Sequence, residues 1–387
     1  MATQAAPRPT QMPTSRRIPV SAPLLGAAES HHVNEALKAG AISGFYGDYL
    51  PLFEREFAQY CGCAHGVAVT SGTTALHLAL AVLDIGETDD VLVAALTNMA
   101  TFFAVLYQRA RPIPIDVDRE TLNIDPTQLR ARITPRTKAI VVVHLYGHPV
   151  DMDPVLDVAT EHGLYVIEDC AQAHGATYKG RKVGGLGDIG CFSFYANKVI
   201  TTGEGGMITT NERRWAEAAR SLKSLAFGDH DKFMHKAVGY NYRMTNLQAA
   251  LGHAQFGKIE EIIAAKRAIA QRYREQLAGR DDLALPVEKD YARSVHWMFH
   301  ILLEGRHAHR RADVMRELAE SGIETRENFV PYNMQTIFIE RGSTYPDECP
   351  VAKDVGARGF YLPSGPRLAT EDIDYVCGRL LALLDTR

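Results

Sequence analysis

The chain has 387 residues, 46% of them hydrophobic and 23% charged, an ordinary globular balance with apolar material for more than one core. Lys and Arg number 42 against 46 Asp and Glu, so the formal charge is −4, which gives no electrostatic reason to expect nucleic acid or an anionic membrane as partner. No run of about 18 apolar residues occurs, which excludes an expected membrane-spanning helix, and the six cysteines include only a Cys61-Gly62-Cys63 pair too tight for a CxxC metal or redox site, so reduced thiols, a cytoplasmic location and no metal are expected.

Residues 1–17 (MATQAAPRPTQMPTSRR) are polar, basic and broken by proline, and read as a disordered leader rather than an amphipathic transit peptide. Residues 30–40 and 50–60 carry helical spacing, the second with Leu52, Phe53, Phe57 and Tyr60 on one side. Short apolar runs then alternate with helical stretches. HGVAVTS, DVLVAAL, RPIPIDVD, KAIVVVHLYG and LYVIEDC read as strands, with TALHLALAVLDIG, ATFFAVLYQRA and DPVLDVATEHG as helices between them. GCFSFYA and GGMITTN follow as further strands. Strands spaced by about 10–15 helical residues predict βαβ units and a mostly parallel sheet flanked by helices.

Beyond about residue 245 the texture changes to one long charged amphipathic stretch with a break near Gly257, then a strand in HWMFHILLEG and helices in ADVMRELAESG and EDIDYVCGRLLALL. The expected organisation is α/β, with a large domain over residues 18–255 and a smaller C-terminal α+β domain over 256–387.

Gly185-Leu186-Gly187-Asp188-Ile189-Gly190 matches GxGxxG literally, but a charged turn precedes it and the strand-like CFSFY follows, the reverse of the strand-then-helix context of a dinucleotide site. It reads as a glycine-rich turn. More informative are three elements. Glu168 and Asp169 end an otherwise apolar strand, where open α/β sheets line their ligand crevice; a lone carboxylate there is more often a turn or cap residue. Lys198 follows the apolar GCFSFYAN segment, and low-dielectric walls would make its amine nucleophilic toward a carbonyl, as a Schiff base requires; taken alone it is more often a snorkelling surface lysine. Ser71-Gly72-Thr73-Thr74 sits between a strand and a helix, where N–H groups and hydroxyls form an anion cradle, or simply a cap. Together they are what pyridoxal phosphate needs: a phosphate cradle, a carboxylate for the ring nitrogen and a lysine.

The segments SGTTALHLAL, ITPRTKAI, VHLYG, DMDP, VIEDCAQAHGATYKGRKVGGLGD, FSFYANKVITTGEGGMITTN and GYNYRMTNLQAALG resemble the sugar aminotransferases of the DegT/DnrJ/EryC1/StrS family, in the same order and over roughly residues 18–385. The resemblance implies a fold-type I transferase dependent on pyridoxal 5'-phosphate, a homodimer with shared active sites, and transfer of an amino group from L-glutamate to a keto group of a nucleotide-linked sugar. NKVITTGEGGMITTN and NYRMTN are nearest to members acting on GDP-4-keto-6-deoxymannose to give a perosamine-type product. By position, Lys198 would carry the cofactor and move the proton, Asp169 would pair with the ring nitrogen and Gln172 would bond the ring hydroxyl. Gly72, Thr73 and Ser193 would hold the phosphate, joined by Asn241 from the neighbouring subunit. His174, Glu204, Tyr242 and Arg243 stay open between site and structural roles.

Two positions depart from the family pattern. Asn98, in Leu96-Thr97-Asn98-Met99-Ala100, stands where an aromatic ring usually stacks on the cofactor, with Met99, Phe102 or Phe103 as alternative sources of a face. Asn333, after Pro331-Tyr332, stands where a histidine is common. A subgroup that replaces the lysine with histidine performs dehydration; Lys198 favours transamination. Two other readings stay open: an aminotransferase for another keto-sugar, keto-sugar acid or keto-cyclitol, and a non-catalytic regulatory protein that binds the cofactor.

Overall fold

The computed structural model describes residues 16–228, 233–235 and 237–386. Residues 1–15 of the expected leader lie outside them, whereas Arg16 is described and forms an ion pair with Asp372. None of the described helices is long and apolar enough to cross a membrane.

The centre is a seven-stranded sheet. From one edge its order is His65–Val69, Gly206–Thr210, Ile189–Ser193, Tyr165–Asp169, Thr137–Val143, Asp90–Ala94 and Arg111–Ile115. All adjacent pairs are parallel except the two made by Gly206–Thr210, which runs antiparallel to both its neighbours. Alternation along the strands explains why they read as continuous apolar runs. Val67, Val91, Val93, Ala139, Val141 and Ile167 enter one core, while Ala68, Leu92, Ala94, Ile140, Val142 and Val166 enter the other. Both faces are therefore buried under helices, as parallel sheets require.

The crossover helices Gly72–Val82, Met99–Tyr107 and Met152–His162 follow three of these strands, as their spacing predicted. The long C-terminal stretch is two helices, Asn246–Phe256 and Ile259–Leu277, interrupted at Gly257 and Lys258. A separate antiparallel sheet contains Phe299–Leu303 and Gly359–Leu362. Its core of Phe299, Ile301, Leu303, Phe360 and Leu362 is closed by Tyr273, Leu277, Val376 and Leu380 from Ile259–Leu277 and Thr370–Asp385.

The glycine-rich turn wraps a carboxylate of the chain itself. N–H groups of Gly184, Leu186 and Gly187 donate to the Glu168 oxygens at 2.8–2.9 Å, and His144 Nε2 lies 3.0 Å from Glu168 Oε2. Val150 N–H donates to His144 Nδ1, so Nε2 carries the proton and donates to the glutamate. Gly184 has φ +89°, and a Cβ there would fall 2.4 Å from the Phe192 ring. Burial pushes the Glu168 pKa up, but the His144 bond and the loop N–H groups prevail and hold it below the ordinary carboxylate value. Cys170 lies beside this pair, yet every polar atom of Glu168 and His144 is already engaged, which makes the cluster a structural clamp.

Candidate active site

Adjacent residues of a strand face opposite sides of a sheet. Glu168 therefore turns to the glycine loop, and Asp169, at the C-terminal end of Tyr165–Asp169, turns to the helix Met99–Tyr107. Asp169 is buried; Ala171 N–H donates to its Oδ1 at 3.1 Å and Thr101 Oγ1 donates to its Oδ2 at 2.9 Å. Burial raises its pKa, opposed by these two donors and by the charge of Lys198. A buried carboxylate with two neutral donors is matched for a cationic N–H.

Lys198 lies on the connection from Ile189–Ser193 to the antiparallel strand Gly206–Thr210. Desolvation lowers the pKa of its amine to about 8, and the Asp169 charge partly opposes that fall. Its Nζ stands 4.3 Å from the centroid of the Trp297 ring. Trp297 is held at several points. Its indole N–H donates to Asn197 O at 2.7 Å, its backbone N–H to Tyr146 O at 2.9 Å, and Lys266 Nζ donates to its carbonyl at 3.0 Å. A residue from the C-terminal third of the chain thus walls the lysine, a contact that nothing in the local pattern of HWMFHILLEG signals.

The helix Gly72–Val82 starts against the same strand end. Ser71 Oγ accepts from Thr74 N–H at 3.1 Å and Thr74 Oγ1 accepts from Ser71 N–H at 3.0 Å, a reciprocal cap. The first helical N–H groups, Gly72 and Thr73, have no acceptor within the helix. Gly72 is packed so closely on Ser193 that a Cβ would come 2.7 Å from the Ser193 Cβ. Glycine and serine here form one small concave edge at a helix N-terminus, suited to a phosphate.

Gln172 is oriented by an unusual neighbour. Tyr146 N–H donates to Gln172 Oε1 at 2.7 Å, so the NH₂ of the same amide is the end free to donate elsewhere. Tyr146 adopts φ +52°, a left-handed conformation strained for a tyrosine, and its ring stacks on His300 and Trp297 while its hydroxyl donates to Asn328 Oδ1.

Asn241 is exposed, in an extended segment bridged to Ser224. Tyr240 and Tyr242 on either side of it stack at 4.9 Å, and Tyr242 OH lies 3.0 Å from His77 Nδ1, so Asn241 projects to the other side of the segment. Among the described residues its side chain bonds none of the site groups.

The undecided residues sort clearly. His174 is buried among Phe57, Phe192 and Phe194 with neither ring nitrogen bonded; burial and the nearby Lys198 push its pKa down to about 3, so it adds no charge. Glu204 is exposed, and its carbonyl, accepting from Thr202 Oγ1 and Gln248 Nε2, anchors the loop. Arg243 stacks over Phe45 at 4.7 Å. Asn98 caps the helix Met99–Tyr107 through Ala100 N–H, and Phe102 is buried and stacked on Tyr332 at 4.2 Å, so its face is already covered. Asn333 is buried and donates to Pro346 O and Cys349 O, a structural role.

The donor set fits pyridoxal phosphate: a helix start with a serine for the phosphate, a buried carboxylate hydrogen-bonded by two neutral donors, an amide whose oxygen alone is engaged, and a desolvated amine. Comparison with known proteins agrees. The model of the DegT/DnrJ/EryC1/StrS aminotransferase family matches residues 23–381. The GDP-perosamine synthase of Caulobacter vibrioides is 42% identical over 370 residues, covering 95% of this chain and 98% of the relative. The GDP-perosamine synthase of Escherichia coli O157:H7 is 41% identical over 362 residues, covering 93% and 96%. The crystal structure of DesV from S. venezuelae superposes with a TM-score of 0.87 at 32% identity, covering 93% of this chain and 95% of that one. The chain belongs to the DegT/DnrJ/EryC1/StrS aminotransferase family and is a pyridoxal-phosphate-dependent transaminase.

Proposed function

We propose that the protein moves an amino group from L-glutamate to the 4-keto group of GDP-4-keto-6-deoxymannose, giving a perosamine-type GDP-sugar, in the cytoplasm. The reading is carried by one juxtaposition: a desolvated Lys198 amine and the buried Asp169 carboxylate at the C-terminal end of the parallel strands. The substrate rests on two relatives named GDP-perosamine synthase, each over 40% identical along more than nine-tenths of this chain.

When bound, pyridoxal phosphate supplies an electron sink that stabilises negative charge on the carbon losing its proton. The protein's residues do the rest. Gly72 and Thr73 N–H groups and the Ser193 hydroxyl bind the phosphate, with Asn241 of a second copy completing the cradle. Asp169 holds the proton on the ring nitrogen, and the Gln172 NH₂ donates to the ring hydroxyl because Tyr146 already occupies its oxygen. Lys198 holds and returns a proton at Nζ, and Trp297 keeps water from one side of that amine.

The test is product analysis with amine-labelled L-glutamate and a panel of nucleotide-linked keto-sugars. Label entering GDP-4-keto-6-deoxymannose at carbon 4, and entering UDP- or dTDP-linked sugars at least about tenfold more slowly, supports the reading, tenfold being ~1.4 kcal/mol of discrimination. Preferential amination of another sugar or of a keto-cyclitol replaces the substrate and keeps the transaminase.

A further inference from the structure

We propose that Thr101, set in place by Asn98 and Thr97, is a positioning residue for the cofactor: its hydroxyl fixes the plane of the Asp169 carboxylate that faces the ring nitrogen. The inference rests on the reading of Asp169 given above.

A carboxylate on a short side chain turns freely, because its terminal torsion has broad minima. Two donors on opposite oxygens remove that freedom: Ala171 N–H on Oδ1 and Thr101 O–H on Oδ2. A threonine hydroxyl has one proton to give. Thr101 gives it to Asp169, so in the 3.2 Å contact between Thr97 Oγ1 and Thr101 Oγ1 it is Thr97 that donates. Thr97 and Thr101 are each 1% exposed, and a short chain of hydroxyls therefore ends on the carboxylate out of reach of water. Such chains polarise, which strengthens the last bond.

Asn98 explains how the hydroxyl arrives there. Its Oδ1 accepts from Ala100 N–H at 2.9 Å and its carbonyl from Thr101 N–H at 3.1 Å, so the helix Met99–Tyr107 begins one residue after it and Thr101 falls in the first turn. The next residue, Phe102, is pinned by Tyr332. The asparagine that replaces the usual aromatic residue thus acts through the helix start on the carboxylate.

The test uses the full chain loaded with ring-nitrogen-labelled cofactor, read by nitrogen NMR against pH and by cofactor Kd. Asp169→Asn serves as the control for the underlying reading. Thr101→Val keeps the side-chain shape and removes the donor. Loss of that donor makes the carboxylate more basic, so the variant is expected to move the ring-nitrogen titration to higher pH, and the unfixed carboxylate plane is expected to weaken cofactor binding about tenfold, equal to ~1.4 kcal/mol. Thr101→Ser is expected to restore both. Thr97→Val, which leaves the Asp169 donor in place, gives a smaller shift in the same direction and carries the test if Thr101→Val folds poorly. An effect of Asp169→Asn with no shift in either valine variant overturns the proposal and leaves Asp169 in its role. Failure of Thr101→Ser to restore the signal overturns it as well, since the hydroxyl is then not the agent. A ring nitrogen indifferent to Asp169→Asn overturns both.

Discussion

Lys198 is useful because its surroundings oppose one another. Desolvation lowers the pKa of the amine to about 8, while the Asp169 charge holds the proton on. Capture of the cofactor needs the neutral amine, so its rate in cofactor-free protein is expected to rise with pH through a midpoint near 8 and then level off. Asp169→Asn removes the charge that favours the ammonium, so the midpoint moves down. Growth of the cofactor absorbance after rapid mixing checks this, and a midpoint near 10.5, the ordinary lysine value, contradicts it. Lys198 and Asp169 were legible in the sequence because each is a charged residue at the edge of an apolar strand, where burial must be balanced by chemistry. Thr101 and Trp297 were not. A threonine in an apolar helix start and a tryptophan before a strand look like ordinary packing, and their meaning comes from contacts between segments far apart in the chain.

The seven strands of the central sheet and three of its helices follow from alternation and spacing, whereas the helix Arg213–Leu222 and the strand Gly359–Leu362 were not anticipated. The glycine-rich turn shows where a motif needs its context. Gly184, Leu186 and Gly187 do bind an anion, but the anion is Glu168. Because the pKa of Glu168 is depressed in the folded protein, its stabilisation is fully present above its ordinary value of about 4.5 and is lost as pH falls through the lower folded value. Glu168→Gln is expected to destabilise the protein by about 3 kcal/mol or more, since it breaks a buried charge-assisted network. It also flattens the part of the acid limb that Glu168 contributes. Thermal unfolding of the cofactor-free protein between neutral and acid pH measures both; an unchanged Tm contradicts the clamp. A division near residue 255 remains our proposal, supported by the helix break at Gly257 and by the separate antiparallel sheet. Trp297 lies beyond that division and still reaches Lys198, so the smaller unit takes part in the site.

Across the whole molecule the site lies where the parallel pattern ends. The strand Ile189–Ser193 is the last parallel member, Gly206–Thr210 runs back against it, and their connection carries Lys198. A chain of formal charge −4 that binds a phosphate cofactor and, on our reading, an anionic GDP-sugar draws little on overall attraction. In our proposal it concentrates donors instead, at the start of Gly72–Val82, at Ser193 and at Asn241 of a second copy. The sequence could not show which face of the 240–242 segment carries Asn241, because that is decided by Tyr240 and Tyr242 stacking beside His77. Every step of the transfer runs through one amine. Borohydride reduction of the cofactor-loaded protein, followed by digestion and peptide mass spectrometry, locates it. The cofactor mass is expected on Lys198 and nowhere else, and to disappear in Lys198→Ala. Attachment to Lys266 or another lysine, or persistence of the modification in Lys198→Ala, would contradict the account.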